Sequence, residues 1–482
     1  MNTLLESVQP KLDDLNHQIK SSLSEFLQVQ TPQQLLNAEN QFHDLCHQAI
    51  GQLFAFLFNH ILQQPALRQT AIQAIFAHGQ KWKSKGLRDV HIRLASGTTV
   101  KVRTPYFVRN HRAKGGRKRK KRGKKGSGCY PVLLALGIKD RITPAAIEKI
   151  ARMTAVCSSL AESQQQLEKQ GISLNIKTIR SLAWSFGSSA VVAQLEKIQR
   201  WLDEVTKSEE FLAGKRVVVT VDGGKIRQRY PKKTGRRKKN GRRSFETDWT
   251  EPRVICLYVI DEEGKKAAEA ESCWYDAAVA DADESFEVLA GHLQGLGASK
   301  AKEVIFVSDG ATWIWNRVEE LWEKTGLTGK VVEVVDFYHA AEHLHSVISL
   351  RKSWSKKRRR EWFEKHRSLL RKGCVEEVVE GIRGLARGRD AKEYAKKTKY
   401  FERHIERMRY KEFKEKKIPI GSGAVESAVR RIINQRMKGP GLLWLPESAQ
   451  AMLLFRAYLK SGRWQELISM TLKEISQIQP VA

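Results

Sequence analysis

The sequence predicts an α+β (or α/β) protein whose mixed β-sheet is interrupted by an all-helical stretch. Two apolar, β-branched runs end in Asp222 and in Asp309, which is typical of strands that stop at a functional edge. A third acid, Glu426, lies in a helix-like segment far downstream, after a long charged helical stretch at 346–416. These observations predict a sheet that carries two acids and a helix that brings the third.

The N-terminal part predicts helices followed by a β-hairpin. Residues 1–85 are rich in Gln and Leu at helical spacing, and Val90–Val108 alternates apolar and polar residues around Ser96-Gly97. We therefore expect a helical unit with a hairpin at 1–108. Residues 109–128 are basic and contain several glycines, which predicts a flexible linker.

Residues 129–205 again have helical spacing. A helix ending near Leu167, a turn at Gly171 and a second helix that exposes Lys177 and Arg180 are typical of a helix-turn-helix DNA-binding domain. An ordinary helical hairpin produces the same pattern, so the sequence leaves both interpretations open. In the first interpretation, Lys177 and Arg180 contact DNA.

A catalytic core is predicted at 206–345, and its second part at 417–482. The predicted strands are Arg216–Val221, Val254–Ile260, Ala267–Trp274, Val304–Val307 and Val331–Val335, and the predicted helix is Asp283–Leu296. Three strands, a helix and two further strands are the order of an RNase H-like mixed β-sheet. We interpret 346–416 as an all-helical insertion, because it separates the fifth strand from the helix that carries Glu426.

The chain is strongly basic, with a formal net charge of +32. Two runs that contain no acid, Arg109–Lys125 and Lys225–Arg243, carry much of this charge, and a third cluster lies at Arg351–Arg360. One such run alone is often only a solvated face, but three together favour a nucleic acid as the partner. The residues of the first two runs that we expect to bind DNA are Arg117, Lys118, Arg119, Lys120, Lys121, Arg122, Lys232, Lys233, Arg236, Arg237, Lys238 and Lys239.

The cysteines and the apolar stretches indicate a cytoplasmic protein. The six cysteines lack C-x-x-C spacing, which favours reduced thiols over a zinc site or a disulfide framework. The first residues do not resemble a secretion signal, and the longest apolar stretch, Ala49–Leu62, is too short and too polar to span a bilayer.

Asp222, Asp309 and Glu426 are the candidate catalytic residues and metal ligands. Glycine follows both aspartates, and if their strands are parallel neighbours, the two carboxylates meet at one sheet edge. Three carboxylates within about 5 Å repel by about 3 kcal/mol per pair at an effective dielectric near 20, so such a cluster favours bound cations. Two Mg²⁺ ions, or Mn²⁺ in their place, can activate an oxygen nucleophile and stabilise the leaving oxygen of a phosphodiester.

Each candidate acid has an alternative interpretation. Asp-Gly is a common turn dipeptide, and Glu426 can form a helical pair with Arg430. Against the second alternative, Glu426 falls at the edge of an apolar helical stripe, so we expect it to face inward or to be half-buried. The stripe consists of Val425, Val429, Ile432 and Ile433.

Further candidates lie on either side of the helical stretch. Asp336 is expected to be an auxiliary metal ligand or an acid that contacts a metal ligand. His339 is expected to hold the scissile phosphate. A polar helix start explains both residues nearly as well. Arg430, Arg436 and Lys438 are expected to grip phosphates. Trp444 either stacks on an unpaired base or fills the core.

Four segments occur in order: Val-Asp-Gly at 221–223, Ser-Asp-Gly-Ala-x-Trp-Ile-Trp at 308–315, Asp-Phe-Tyr-His-Ala-x-Glu-His-Leu at 336–344, and Ile-Gly-Ser-Gly-x-Val-Glu-Ser-Ala followed by Arg-Met-Lys-Gly-x-Gly-x-x-Trp at 420–444. They resemble the DDE transposases of bacterial insertion sequences, in particular the ISKra group, and more distantly the Mutator-like superfamily. The resemblance implies a catalytic triad of Asp222, Asp309 and Glu426, an Asp-x-x-His signature at Asp336 and His339, and an all-helical insertion.

The resemblance further implies Mg²⁺-dependent cleavage at the ends of an insertion sequence and strand transfer into target DNA. The expected partners are double-stranded DNA, as terminal inverted repeats and as target, and further copies of the chain in a dimer or larger oligomer near the bacterial nucleoid. The chain departs from the family in lacking a cysteine-based zinc element and in its long basic loop after Asp222. The alternatives are another RNase H-like nuclease or resolvase, and a catalytically silent DNA-binding protein derived from a transposase.

Overall fold

A computed structural model describes residues 2–77, 81–109, 128–205, 207–232, 234, 244–268, 273–386 and 390–477. Its internal contacts divide the chain into two compact units, one made of Met1–Ser189 with Ile468–Ala482 and the other of Ala190–Leu467. All six cysteines are free thiols. Within the described residues, none of the helices combines the length and the apolar character that crossing a bilayer requires.

The first unit contains the predicted N-terminal helices and hairpin. The helices are α1 (Asn2–Phe26), α2 (Pro32–Gln63) and α3 (Pro65–Phe76), and the strands are β1 (Trp82–Arg93), β2 (Thr99–Arg109) and β3 (Gly128–Cys129). β1 and β2 are antiparallel around Ser96-Gly97, which confirms the predicted hairpin, and β2 also pairs with β3. Phe58 and Leu62 of α2 pack with Ile92 and Val102 of the hairpin. This core uses one face of the hairpin, as the alternating pattern predicts.

A second set of helices follows. Three of them, α4 (Pro131–Ala135), α5 (Pro144–Val156) and α6 (Leu160–Glu168), belong to this unit, while α7 (Ile176–Leu202) starts in it and continues from Ala190 into the second unit. The predicted turn between α6 and α7 is present, because Gly171 has φ +81° and the Asn175 side chain accepts a hydrogen bond from the Thr178 amide at 2.9 Å. This geometry confirms the helix, turn and helix, while their role in DNA binding remains a prediction.

The second unit is built on a mixed, five-stranded β-sheet. Its strands are β4 (Arg216–Gly223), β7 (Arg253–Ile260), β8 (Cys273–Ala278), β9 (Glu303–Ser308) and β10 (Val331–Val335). The spatial order is β10-β9-β4-β7-β8. β4, β9 and β10 are parallel, and β7 and β8 join on the other side of β4 as antiparallel strands. The sheet confirms the predicted α+β class.

The structure corrects the position of one strand. The observed strand β8 starts at Cys273, so Ala267 and Ala268 lie outside it, while residues 269–272 of the predicted strand Ala267–Trp274 are outside the described residues. Its position follows from pairing with β7, in which Cys273 lies opposite Tyr258 and Ala278 lies opposite Arg253. Trp274 and Tyr275 are buried there, whereas the alanines at 267 and 268 have little side chain to pack and a weak preference for strands.

A second hairpin was missed by sequence reasoning. β5 (Ile226–Pro231) and β6 (Phe245–Thr250) pair as an antiparallel, two-stranded sheet. The sequence interpretation treated Lys225–Arg243 as one basic loop, because the high charge hid the alternation of Ile226, Gln228 and Tyr230 with Arg227 and Arg229. Residues 233 and 235–243 of that run lie outside the described residues.

Helices cover the sheet and form the rest of this unit. α8 (Ala282–Gly295) begins with a capping box between Asp281 and Glu284, close to the predicted start. Three helices follow the strands β9 and β10, namely α9 (Thr312–Trp315), α10 (Val318–Thr325) and α11 (Phe337–Ser349). The stretch 346–416 is helical, as predicted, and contains α12 (Lys356–Arg371), α13 (Val375–Arg383), α14 (Ala391–Arg403) and α15 (Tyr410–Glu415).

The last helices of the chain are α16 (Gly423–Val429), α17 (Gln435–Met437), α18 (Pro446–Lys460) and α19 (Trp464–Gln477). A π-helical turn at Arg430–Asn434 joins α16 to α17. π-helical turns inside α-helices are rare and frequently occur at functional sites. This one directly follows the segment that carries Glu426.

Candidate metal centre at one edge of the sheet

Asp222 and Asp309 lie at the same edge of the sheet. Asp222 is the penultimate residue of β4, and Asp309 directly follows the last residue of β9. The two strands are parallel neighbours, so their carboxyl ends meet, and the Ser308 hydroxyl donates a hydrogen bond to the Val221 carbonyl at 3.0 Å. This is the convergence that the sequence predicts for two acids that end parallel strands.

The carboxylates of Asp222 and Asp309 are held by their own turns. One oxygen of Asp222 accepts the Gly223 amide at 2.7 Å, and one oxygen of Asp309 accepts the Ala311 amide at 3.0 Å. The indole N–H of Trp315 donates to the Asp309 carbonyl at 2.6 Å, which fixes the loop after β9. A carboxylate can accept several hydrogen bonds or ligands, so each of these groups keeps an oxygen for a cation.

The pKa of Asp222 shows that the acids act on one another. Burial raises this pKa above its usual value, and the negative charges of Asp309 and Glu426 raise it further. The Gly223 amide and the charge of His339 oppose the change. A group of acids in this state is stabilised by a bound cation, because the cation removes the repulsion and replaces the lost hydration.

Asp336 is the most constrained acid of the site. It is fully buried and begins α11, where its carboxylate accepts the amide of His339 at 2.8 Å and the amide of Ser422. Its own amide donates to the Ser308 carbonyl at 2.8 Å, which ties β10 and α11 to the end of β9. Burial alone would raise the pKa of Asp336, but the hydrogen bonds from His339 and Ser422 lower it to about 2.

His339 forms an ion pair with Asp336. The distance between His339 Nδ1 and Asp336 Oδ1 is 3.4 Å, and the imidazole is half-buried. The Asp336 carboxylate raises the pKa of His339 to about 9, against the effect of burial. In the absence of metal, the site therefore holds a cationic imidazole at neutral pH.

Glu426 joins Asp336 and His339 in a compact group. One potential ligand atom from each of these three residues lies within 4.8 Å of those of the other two. Among the described residues, this is the one group of at least three such side chains at that distance. The structure thus groups Glu426 most tightly with the two auxiliary candidates, and Asp222 and Asp309 act on this group through their charge.

The predicted burial of Glu426 is wrong. Its side chain is exposed, although Val425 and Val429 on the same helix are buried as predicted. The reason is that α16 begins at Gly423, so Glu426 belongs to the first turn of the helix. It lies at the edge of the apolar stripe, and this edge faces solvent. The Ser422 hydroxyl lies 3.4 Å from its carboxylate as a hydrogen-bond donor.

A cleft of about 410 Å³ opens beside these residues and is lined by Asp309 and His339 together with Lys396, Lys397 and Tyr400 of α14. The acid Glu393 of the same helix also lines it. The ring of Tyr400 stacks on that of His343, with a distance of 3.9 Å between centroids. The Arg403 guanidinium of the same helix donates to the Thr312 hydroxyl at 3.2 Å. The helical stretch therefore contributes cationic side chains to the site.

Sequence reasoning missed the three residues of α14. Lys396, Lys397 and Tyr400 lie in a helix in which charged residues alternate with few apolar ones, and no local pattern separates them from solvated positions. Only their position opposite the Asp309 loop identifies them. The neighbouring His343 contacts Tyr400 and does not belong to the compact group.

The predicted DNA-binding residues divide into three sets. Lys177, Arg180, Lys232, Arg430 and Lys438 are exposed, as an interface requires. Arg436 and Trp444 are buried, and the Trp444 indole donates to the Met437 carbonyl at 3.1 Å, which favours the core role for this tryptophan. The remaining predicted residues lie outside the described part of the chain, namely Arg117, Lys118, Arg119, Lys120, Lys121, Arg122, Lys233, Arg236, Arg237, Lys238 and Lys239.

Comparisons with protein-family models, with curated proteins and with solved structures give no match for this chain. The site is therefore interpreted from its own geometry and chemistry.

Proposed function

We propose that the chain is a DNA transposase of the DDE type, which cleaves the ends of an insertion sequence and transfers the freed strand to target DNA. The observation that carries this proposal is the convergence of Asp222 and Asp309, at the ends of parallel strands, with Glu426, Asp336 and His339. Four carboxylates at one sheet edge form a donor set for hard divalent cations, and the cationic imidazole of His339 lies beside them.

The strand order supports an RNase H-like core. β4, β7 and β8 are three successive antiparallel strands of the sheet, and β9 and β10 extend it in parallel from the other side of β4. The helices at 346–416 lie between β10 and α16, where a helical insertion into such a core is expected from the sequence. Both features fit a transposase as well as the nuclease alternative. The two functions are therefore distinguished by the DNA products that the protein forms.

The residues present fit a site for Mg²⁺ or Mn²⁺. Asp222, Asp309 and Glu426 would hold two ions, with Asp336 as a further ligand or as the acid that orients His339. When bound, the ions supply activation of the attacking oxygen and neutralisation of charge on the phosphate. The surrounding cations are suited to the substrate, because His339, Lys396 and Lys397 can bind phosphate oxygens on either side of the bond that reacts.

The proposed reaction has two balanced steps. In the first, a water oxygen bonds to phosphorus at the transposon end, the bond from phosphorus to the 3′ oxygen breaks, and that oxygen takes up a proton. In the second, this 3′-hydroxyl loses its proton and bonds to a phosphorus of target DNA, while the 3′ oxygen of the target strand leaves. Both steps replace one oxygen on phosphorus with another, by hydrolysis in the first and by transesterification in the second, so one site serves both.

Incubation of the full-length protein with DNA from the borders of its gene, in Mg²⁺ or in EDTA, tests this proposal. Sequencing should reveal nicks at the element ends and joined products only with Mg²⁺. Asp222→Asn and Asp309→Asn should each lower both products by at least about 1,000-fold, since several kcal/mol of stabilisation depend on the ions. Asp203→Asn, which changes an exposed aspartate outside the site, is the matched control.

The products decide between the alternatives. Mg²⁺-dependent cleavage without any joined product would favour a nuclease or resolvase. Binding without cleavage by the unaltered protein would favour a catalytically silent DNA-binding protein. Undiminished cleavage by Asp222→Asn would refute the proposed centre itself.

A further inference from the structure

The β5–β6 hairpin carries a basic and aromatic face that the catalytic centre does not use. Side chains alternate between the two faces of a paired strand. Pairing places Arg227 opposite Trp249 and Arg229 opposite Thr247. One face therefore carries Arg227, Arg229, Phe245, Thr247 and Trp249, without any carboxylate.

The aromatic rings on this face are open to solvent. Trp249 is 59% exposed and Phe245 is 46% exposed. The Arg227 guanidinium carbon lies 5.7 Å from the centre of the Trp249 ring, and that of Arg229 lies 5.9 Å from the Phe245 ring. Exposing two large rings costs solvation free energy, so a partner that stacks on them is favoured.

The opposite face of the hairpin has a different character. Ile226 and Gln228 are buried, and the Tyr230 and Thr250 hydroxyls donate to the Gln228 side chain. Both acids of β6, Glu246 and Asp248, alternate to this side. The hairpin thus separates its charges, with cations and exposed rings together on one face and the acids on the other.

The hairpin is fixed to the catalytic centre. It begins directly after β4, and Gly224 at its base donates to the Pro252 carbonyl at 3.0 Å. Gly224 also packs closely on the π-helical turn that follows α16, and an added Cβ would lie 2.7 Å from Ile433 Cδ1. The backbone of Trp444 exchanges hydrogen bonds of 3.0 and 2.9 Å with Arg227 and Arg229. The Arg227–Trp249 face is therefore held in place beside Asp222.

We propose that the Arg227–Trp249 face binds an unpaired nucleotide of the DNA strand at the catalytic centre, with its base stacked on Trp249 and its phosphates on Arg227 and Arg229. This inference rests on the proposed function. Single-stranded nucleic acids bind to surfaces that combine cations with aromatic rings, because every base offers a π-face. A base inside a duplex offers no free π-face, so the partner is a strand that has opened near the bond to be cut.

Fluorescence anisotropy of a labelled single-stranded oligonucleotide and of a blunt duplex of the same sequence, both in EDTA, tests the inference without requiring catalysis. Trp249→Ala should weaken single-strand binding by about 5- to 150-fold, the effect of removing one aromatic stacking partner, and leave duplex binding within about twofold. Trp249→Phe should restore most of the affinity. Tyr230→Ala, which removes an exposed ring from the opposite face, is the matched control and should bind like the unaltered protein.

The salt dependence gives a second readout. Arg227→Ala and Arg229→Ala should each lower the slope of log K against log salt concentration by about 0.7, the value for one phosphate contact of a single strand. Single-strand binding by Trp249→Ala that equals the unaltered protein would overturn the inference, as would Trp249→Phe that binds as weakly as Trp249→Ala. A change of oligomeric state in Trp249→Ala, with unchanged DNA binding, would assign the face to a second copy of the chain and also overturn it.

The two proposals fail separately. If Asp222→Asn abolishes cleavage but Trp249→Ala binds single strands normally, the catalytic proposal holds and the hairpin inference fails. If Trp249→Ala loses single-strand binding but Asp222→Asn still cleaves, the hairpin binds DNA and the catalytic assignment fails.

Discussion

Two pairs of one aspartate and one histidine lie among the described residues of the second unit, and one of the two lies at the candidate site. Asp276 of β8 and His292 of α8 are both buried, with 2.6 Å between the carboxylate oxygen and His292 Nε2. Asp336 is equally buried, but His339 is half-buried beside a cleft and lies 3.4 Å away. Burial of the acid is common to both pairs, so burial alone does not define a site.

The surroundings of the two histidines account for the difference. His292 lies between the indoles of Trp201 and Trp274, each with a ring centroid 6.0 Å away, and Gln194 donates to Asp276 from the same interior. His339 instead interacts electrostatically with Asp309 and Asp222. The first pair is enclosed by aromatic groups, whereas the second adjoins further acids and can reach a substrate. The Asp276–His292 pair is therefore expected to serve stability, and the Asp336–His339 pair function.

Replacement of Asp276 should have the largest effect on stability. Asp276→Ala removes the acceptor for His292, for Gln194 and for the Ala277 amide, and leaves these buried donors unsatisfied. The free energy of unfolding should fall by at least about 3 kcal/mol, measured by urea denaturation. The folded protein should keep its cleavage rate. A loss below about 1 kcal/mol would contradict a structural role for the pair.

Replacement of Asp336 should reverse this pattern. Asp336→Asn keeps the shape of the side chain and one acceptor oxygen, but it removes the charge that pairs with His339. Cleavage should fall by about 100-fold, as for ligands and their orienting acids, and the Mg²⁺ concentration for half-maximal cleavage should rise. The decrease in unfolding free energy should be smaller than for Asp276→Ala. Full activity in the folded Asp336→Asn protein would make the two pairs equivalent and contradict the assignment.

A smaller effect should follow from filling the space beside Asp309. A Cβ at Gly310 would lie 2.0 Å from Tyr400 Cε2, so Gly310→Ala must displace Tyr400 and α14 from the cleft. Misplacing a catalytic group by about 1 Å lowers the reaction rate by about 100-fold, so a smaller shift here should lower the rate of cleavage by about 10-fold. Gly384→Ala, whose added Cβ would meet its nearest atom at 3.5 Å, is the matched control. If Gly310→Ala cleaves like Gly384→Ala, α14 does not shape the site.

The parts of the site that lie on strands were predictable from the sequence. Asp222 and Asp309 end apolar runs that can only be buried strands, and parallel pairing brings such ends together without further information. The stripe of Val425 and Val429 likewise predicted the buried face of α16. Local sequence patterns are sufficient to predict the position of a residue where burial sets the spacing of the apolar residues around it.

The remaining parts depend on contacts between distant segments. The exposure of Glu426 follows from where α16 begins, and the contribution of Lys396 and Tyr400 follows from the packing of α14 on the Asp309 loop. The β5–β6 hairpin was hidden because its strands are rich in charged residues, and its pairing with Trp444 spans most of the unit. No local pattern encodes these relations, so the sequence could indicate the acids and His339 but not Lys396, Lys397 and Tyr400 of α14.

The smallest expected effect is a change in how the free energy of unfolding depends on pH. It tests whether the charge of Asp276 stabilises the fold. Burial acts to raise the pKa of Asp276, but hydrogen bonds from His292 and Gln194 outweigh it and lower the folded-state pKa below 3.8. The carboxylate therefore adds stability above the unfolded pKa of about 4, and this contribution is lost as the pH falls through the lower folded pKa. The difference in unfolding free energy between the unaltered protein and Asp276→Asn, measured by urea denaturation without divalent ions, should shrink below about pH 4. A difference that stays constant between pH 7 and pH 3 would show that the charge of Asp276 contributes nothing.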